Sequence, residues 1–241
     1  HGTHVAGIAA AVSNNGVGIA GVSWGAKILP VKVLDWGGSG SDTQVASGIQ
    51  WAADHGAKVI NLSLGGPQAG TTLQDAVAYA QGKGALVVAA AGNCADPDTY
   101  YYSQVCESQL NPVFYPAAYP GVVAVGAVTS TNVRASFSEY GSFVDVVAPG
   151  VSIYSTVPPS IYGGYYWLSG TSQATPHVAG LAALVWSVNP FLLAGEVRSA
   201  IESTATDLGS MGRDDYYGNG LINAQSAVQA VVPLNPGNMV F

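Results

Sequence analysis

The chain has 241 residues, 49% of them hydrophobic and only 9% charged, with a formal net charge of −7. Its 7 Lys and Arg residues are scattered, which excludes the clustered cations that nucleic-acid backbones require, so no nucleic-acid partner is expected. The best apolar runs, 85–91 and 178–188, are too short to cross a bilayer and are bounded by glycine or polar residues, so no membrane partner is expected either.

Along the chain, HGTHVAG at residues 1–7 joins two histidines to the small residues that let a helix pack closely on a sheet. GVGIAG (Gly16–Gly21) matches the dinucleotide pattern G-x-G-x-x-G. Turn-like Ser13, Asn14 and Asn15 precede it and Pro30 follows, so a turn is the better reading and a nucleotide-dependent enzyme the poorer one. Lys27–Leu34 (KILPVKVL) reads as a strand. Gln44–His55 reads as a helix with Val45, Ile49, Ala52 and Ala53 on one face and Gly56 as its stop. Lys58–Leu64 reads as a buried strand ended by Gly65 and Gly66, Leu73–Gly82 as a helix, and Ala85–Ala91 as a fully apolar strand. Cys94 and Cys106 then flank a tyrosine-rich loop. A disulfide there would contribute roughly 3 kcal/mol by loop closure. Two independent thiols are the alternative, and two cysteines without a nearby histidine are too few for zinc. Gly121–Val128 and Val144–Ala148 continue the strands, and 171–188 and 194–204 are late helices.

Short continuous apolar strands alternating with helices predict an α/β fold, a three-layer sandwich with a mostly parallel central sheet and helices on both faces. Residues 1–232 form one domain in this reading and 233–241 a tail. In such a sheet the chemistry gathers beyond the carboxyl ends of the strands, where glycine-rich loops such as 37–41, 65–70 and 92–98 fall.

GTSQATPHVAG (Gly170–Gly180) sets a serine at the start of a helix. A hydroxyl needs a base and oxyanion donors to act as a nucleophile, and a helix N-terminus offers free N–H groups. An ordinary helix cap is the competing reading of Ser172. Pro176 falls at the edge of the first turn, where a missing N–H costs little. His177 reads as a buried structural residue. His1 and His4 are candidate bases, and spacing alone does not choose between them.

HGTHVAG, INLSLGG, VVAAAGN and GTSQATPHVAG, in this order, resemble the subtilisin-like serine proteases, or subtilases. NNGVGIAG, KVLDWGGSGS and WAADHGAKVINLSLGG are most similar to the thermitase branch, and the likeness runs from His1 to about residue 230. The resemblance implies that His1 is the general base, Ser172 the nucleophile and Asn93 the oxyanion-hole amide, with His4 and His177 structural. It implies substrate-binding edges at Gly38, Ser39 and Gly40 and at Ser63, Leu64 and Gly65. Small walls at Ala90, Ala91 and Gly92, with Tyr115 and Pro116 opposite, imply a broad or apolar-leaning pocket. It implies polypeptide substrates, secretion to the extracellular space, and a monomer. No cofactor is needed for the chemistry. A structural calcium is implied at 12–19, with Asn15 as a ligand beside carbonyls of Val12, Val17 and Ile19, although calcium takes six to eight oxygens.

The family's triad aspartate stands in a D-T/S-G motif before the histidine, and this chain starts at the histidine. Asp42-Thr43 is followed by Gln and Asp98-Thr99 by Tyr, so neither substitutes. The expectation is an N-terminally truncated chain whose activity is impaired, with a non-catalytic peptide-binding relative of a protease as the alternative.

Overall fold

Runs of Val and Ala with no alternating polar residues suit strands that are dry on both faces. In a computed structural model, which describes residues 1–100, 106 and 109–233, four such runs form the central sheet. They are β1 (Val59–Leu62), β2 (Leu86–Ala90), β3 (Val123–Val128) and β4 (Val146–Pro149), hydrogen-bonded in that order. All pairings are parallel, with Val87 opposite Ile60, Val125 opposite Ala90 and Val147 opposite Gly126. Around the sheet lie α1 (Gly2–Ala10), α2 (Asp42–Asp54), α3 (Thr71–Gly82), α4 (Pro97–Tyr100), α5 (Thr171–Val188), α6 (Ala194–Ser203) and α7 (Ala224–Ala230). An antiparallel hairpin of β5 (Ile153–Thr156) and β6 (Tyr165–Leu168) stands apart from it.

The period-2 geometry of a strand divides the core in two. Ile60, Val87, Ala89 and Ala124 pack with Val45 and Ile49 of α2 and Leu73 and Val77 of α3. Leu86, Val88, Val123 and Val125 point the other way, onto Val178, Leu181 and Val185 of α5 and Val197 and Ile201 of α6. Val87, Val88 and Val123 retain no exposed surface. Burying each contributes about 1.5–3 kcal/mol. Local chemistry agrees with this packing. Ser41 caps α2 by accepting the Gln44 N–H, and Gln44 returns the bond to the Ser41 N–H. The α/β three-layer expectation is therefore met.

Four element readings need correction. Lys27–Leu34 forms no strand. A strand needs a neighbour, and among the described residues this segment has none. Val31, Val33 and Leu34 still pack on the core under α2, while Ile28 and Leu29 stay exposed. The β5–β6 hairpin was not foreseen. α5 begins at Thr171 with Gly170 as its N-cap, so Ser172 is the second helical residue and not the cap. Pro176 is consequently interior rather than at the edge of the first turn. Cys94 and Cys106 are disulfide-bonded, which closes the alternative of two independent thiols. The tyrosine-rich stretch at 101–105 and the tail beyond Pro233 lie outside the described residues.

Candidate active site

Three segments meet beyond the carboxyl ends of β1 and β2. They are Ser63–Gly65 after β1, Gly92–Cys94 after β2, and the first turn of α5. A cavity of about 200 Å³ lies between them, lined by Leu64, Gly65, Ala90, Gly92, Asn93 and Ser172 together with Thr171, Phe114 and the Cys94–Cys106 pair. A larger hollow between α6 and the end of α7 contains none of these residues and none of the expected chemistry.

Ser172 is anchored through its backbone. Pro176 has no N–H to give to the carbonyl four residues earlier, which is that of Ser172. The freed carbonyl accepts the Ser63 hydroxyl at 2.8 Å instead. The Ser172 hydroxyl in turn donates to the Ser63 carbonyl at 3.3 Å, a long bond that is readily exchanged for a better partner. Asn61 holds the Ser63 hydroxyl from behind, its Nδ2 donating at 3.0 Å. An interior proline that looks like a defect thus ties the helix start to the edge after β1.

Asn93 is aimed by Thr171. Its Oδ1 accepts the Thr171 backbone N–H at 2.8 Å and the Thr171 hydroxyl at 3.0 Å, while the Gly92 N–H donates to that same hydroxyl at 3.2 Å. With the oxygen end fixed by two donors, the Nδ2 end of the amide is left as a donor, near the N-cap of α5. A methyl group placed on Gly170 would stand 3.7 Å from it.

The histidines separate cleanly. His4 is fully buried, with Nε2 3.1 Å from both the Ile153 and the Tyr166 carbonyls, so Nε2 carries the proton. Burial lowers its pKa and keeps it neutral, against the two carbonyl contacts, which favour the cation. His177 places Nδ1 2.9 Å from the Gln173 carbonyl, and burial lowers its pKa too. His1 is exposed at the N-cap of α1. Its position follows from the packing of α1 on α5. The first turn of α1 leans on the hairpin, where Thr156 and Ser155 donate to the Thr3 and His4 carbonyls, and β6 leads directly into Gly170. Further on, Gly180 packs against the Ala9 carbonyl. Eight residues back from Ala9 is His1, and eight back from Gly180 is Ser172, so each stands the same number of residues before this contact, at the start of its helix. The ion pairs among the described residues involve Lys83, Arg198 and Arg213, and none places a carboxylate on His1.

Not every expected residue comes to the cavity. Gly38, Ser39 and Gly40 form an exposed turn folded on Asp35, whose carboxylate accepts the Gly37 and Ser39 N–H groups. Ala91 is buried, and its N–H is given to the Val125 carbonyl of the sheet. Tyr115 pairs its backbone with Gly66, at 2.8 and 2.9 Å, and Phe114 rather than Tyr115 or Pro116 lines the cavity. The lining by the disulfide was also missed. The spacing of the two cysteines marked them as a pair but carried no sign of the wall they form. Asn15 is exposed, and its Oδ1 accepts the Val17 N–H at 3.0 Å. Among the described residues no group of three or more His, Cys, Asp or Glu side chains could hold a metal. Without a carboxylate, Asn15 and its neighbours do not by themselves fit a calcium ion.

Residues 1–220 match the model of the subtilase family, Peptidase S8. Over 229 residues the chain is 50% identical to subtilisin amylosacchariticus of Bacillus subtilis subsp. amylosacchariticus, covering 95% of this chain and 56% of that protein. It is equally 50% identical to a subtilisin of Bacillus pumilus, covering 77% of that protein. A solved protease of Pseudoalteromonas arctica PAMC 21717 superposes with a TM-score of 0.81 at 35% identity, over 95% of this chain and 70% of that one. The chain thus spans little more than half the length of the first of these relatives.

Proposed function

The chain belongs to the subtilase family, and from that premise we propose that the protein carrying it is a secreted, monomeric serine endopeptidase of the thermitase-like branch. One observation carries the chemistry: Ser172 lies at a helix N-terminus on the same cavity as an Asn93 amide whose oxygen is already engaged. In this reading the Ser172 hydroxyl attacks the scissile carbonyl carbon while His1 takes its proton. The oxyanion that forms is held by Asn93 Nδ2 and the Ser172 N–H. His1 then gives the proton to the leaving amine, and the peptide C–N bond breaks. Water, activated by the same imidazole, hydrolyses the acyl-enzyme and restores the serine.

Polypeptide substrates would bind as an added strand along Ser63, Leu64 and Gly65, with Gly38, Ser39 and Gly40 as the opposite edge once their turn opens. Apolar walls at Leu64, Ala90 and Phe114 favour an uncharged side chain and broad specificity. No metal takes part in the chemistry. An imidazole with no carboxylate partner is a poorly oriented base, so residues 1–241 alone would work slowly. That same lack supports the second reading, a peptide-binding module without turnover. A fluorophosphonate probe separates the two. The endopeptidase is expected to be labelled at Ser172, as mapped by peptide mass, and to hydrolyse peptides. A folded full-length protein that does neither is a binding module.

A further inference from the structure

Glu139 has no exposed surface, and the chemistry above gives it no task. It grips both ends of the turn that presents Asn93. Its backbone N–H donates to the Gly92 carbonyl at 3.1 Å, and its Oε1 accepts the Cys94 N–H at 3.2 Å. Its carboxyl lies against the turn itself, since a methyl group on Gly92 would fall 2.5 Å from both Cδ and Oε2. Gly92 has φ +115°, so a side chain there is excluded by conformation as well as by space. Oε2 has no hydrogen-bond partner among the described residues. Asn93 therefore sits between two supports, Thr171 on its amide oxygen and Glu139 under its backbone.

We propose that Glu139 is a positioning residue, which as a neutral acid seats the Gly92–Cys94 turn so that Asn93 faces the oxyanion, and which on ionising weakens that seat and the activity that depends on it. The proposal rests on the endopeptidase reading and adds a regulating group to it. Two physical effects act in the same direction. A carboxylate with one N–H partner in a dry site is poorly solvated and pulls on the turn or draws in water. Its charge also lies against the turn that carries Asn93, and a negative charge there opposes the one that develops at the Asn93 amide. Burial pushes the Glu139 pKa up to about 8, against the Cys94 N–H, which favours the carboxylate. Among the described residues no other titratable or charged group on the packed elements bears on it. On its own segment these are Arg134, which donates to the Ala135, Ser136 and Ser138 carbonyls, and Tyr140, under that guanidinium. After Cys94 they are Asp96 and Asp98. On α5 there is His177, which burial keeps neutral, and the disulfide removes both cysteines from titration.

The test compares the full-length protein with E139Q, measuring kcat/KM on an uncharged peptide from ~pH 6 to ~pH 10. Above a midpoint near 8 the unsubstituted protein is expected to lose activity, approaching tenfold per pH unit, while E139Q stays flat over that range. E139A, which empties the seat, is expected to lose activity at every pH, and rescue by glutamine distinguishes seating from packing alone. The side-chain amide resonance of Asn93, assigned from its absence in N93A, should shift with the same midpoint in the unsubstituted protein and not in E139Q. An E139Q profile that keeps the alkaline limb, or an Asn93 amide indifferent to pH around 8, overturns the proposal. Should no peptide be cleaved at any pH, the endopeptidase reading fails, and the Asn93 resonance still decides whether Glu139 controls the turn.

Discussion

Replacing Ser172 by alanine in the full-length protein is expected to lower kcat by roughly 10⁶-fold, a magnitude known from this family rather than derived from the geometry. The geometry says why the loss should not be a folding defect. The Ser172 side chain makes one long bond, to the Ser63 carbonyl, and the residue is only partly buried. What anchors the helix start is the Ser172 carbonyl on the Ser63 hydroxyl, which alanine keeps. Steady-state kinetics on a peptide substrate, with binding of a non-cleaved peptide as a control, reads the prediction. The expected result is a collapsed kcat with peptide affinity within a few-fold of the original.

The second large effect concerns the imidazole. Among the described residues no hydrogen bond or ion pair orients the His1 imidazole, which is exposed. In a longer form carrying the family's D-T/S-G motif ahead of His1, changing that aspartate to asparagine is expected to lower kcat by about 10⁴-fold, because the wrong tautomer then faces the serine. The fold offers a place for such a segment. β1 pairs on one side with β2, and its other edge is unpaired among the described residues. Asn61, on that strand, has a buried Oδ1 with no hydrogen-bond partner among the described residues. A strand added there would end beside Ser63, at the mouth of the cavity. Circular dichroism of the Asp and Asn forms separates a lost base from a lost fold: both should be equally folded, and only the Asp form fast.

How much of this was readable from residues depends on whether a signal is local or pairwise. The fully apolar runs around Val87, Val123 and Val146 are short, rich in Val and bounded by turn residues, which is what a strand buried on both faces of a sheet requires. Lys27–Leu34 is also rich in Val, Ile and Leu, between Lys27, Pro30 and Lys32, but lacks a neighbour, and the ladder is a property of two segments. The β5–β6 hairpin failed for the opposite reason. Its partners are aromatic and half exposed, Tyr154 beside Trp167 and Tyr165, so no apolar alternation marks them. At the site, Ser172 and His1 were legible through motif resemblance, which also set His4 apart as structural, and the Ile153 and Tyr166 carbonyls against its ring supply the physical reason. Pro176 looked like a terminal residue because the Ser63 hydroxyl, which takes up the Ser172 carbonyl that the proline leaves free, lies 109 positions from Ser172 in the chain. Glu139 was invisible for the same reason. It is a charged residue type in a polar-looking FSEYGS stretch, and only the tertiary fold shows that it sits under Gly92 with no exposed surface.

The account's central claim is that Ser172, His1 and Asn93 act on one carbonyl, and a crystal structure of the full-length protein bound to a peptide boronate reads it most directly. The account predicts a bond from boron to the Ser172 Oγ, one boronate oxygen within hydrogen-bond distance of both Asn93 Nδ2 and the Ser172 N–H, and the His1 imidazole against a second oxygen. A boronate held by any other side chain, or an adduct at Ser172 with Asn93 turned away and His1 remote, would contradict it.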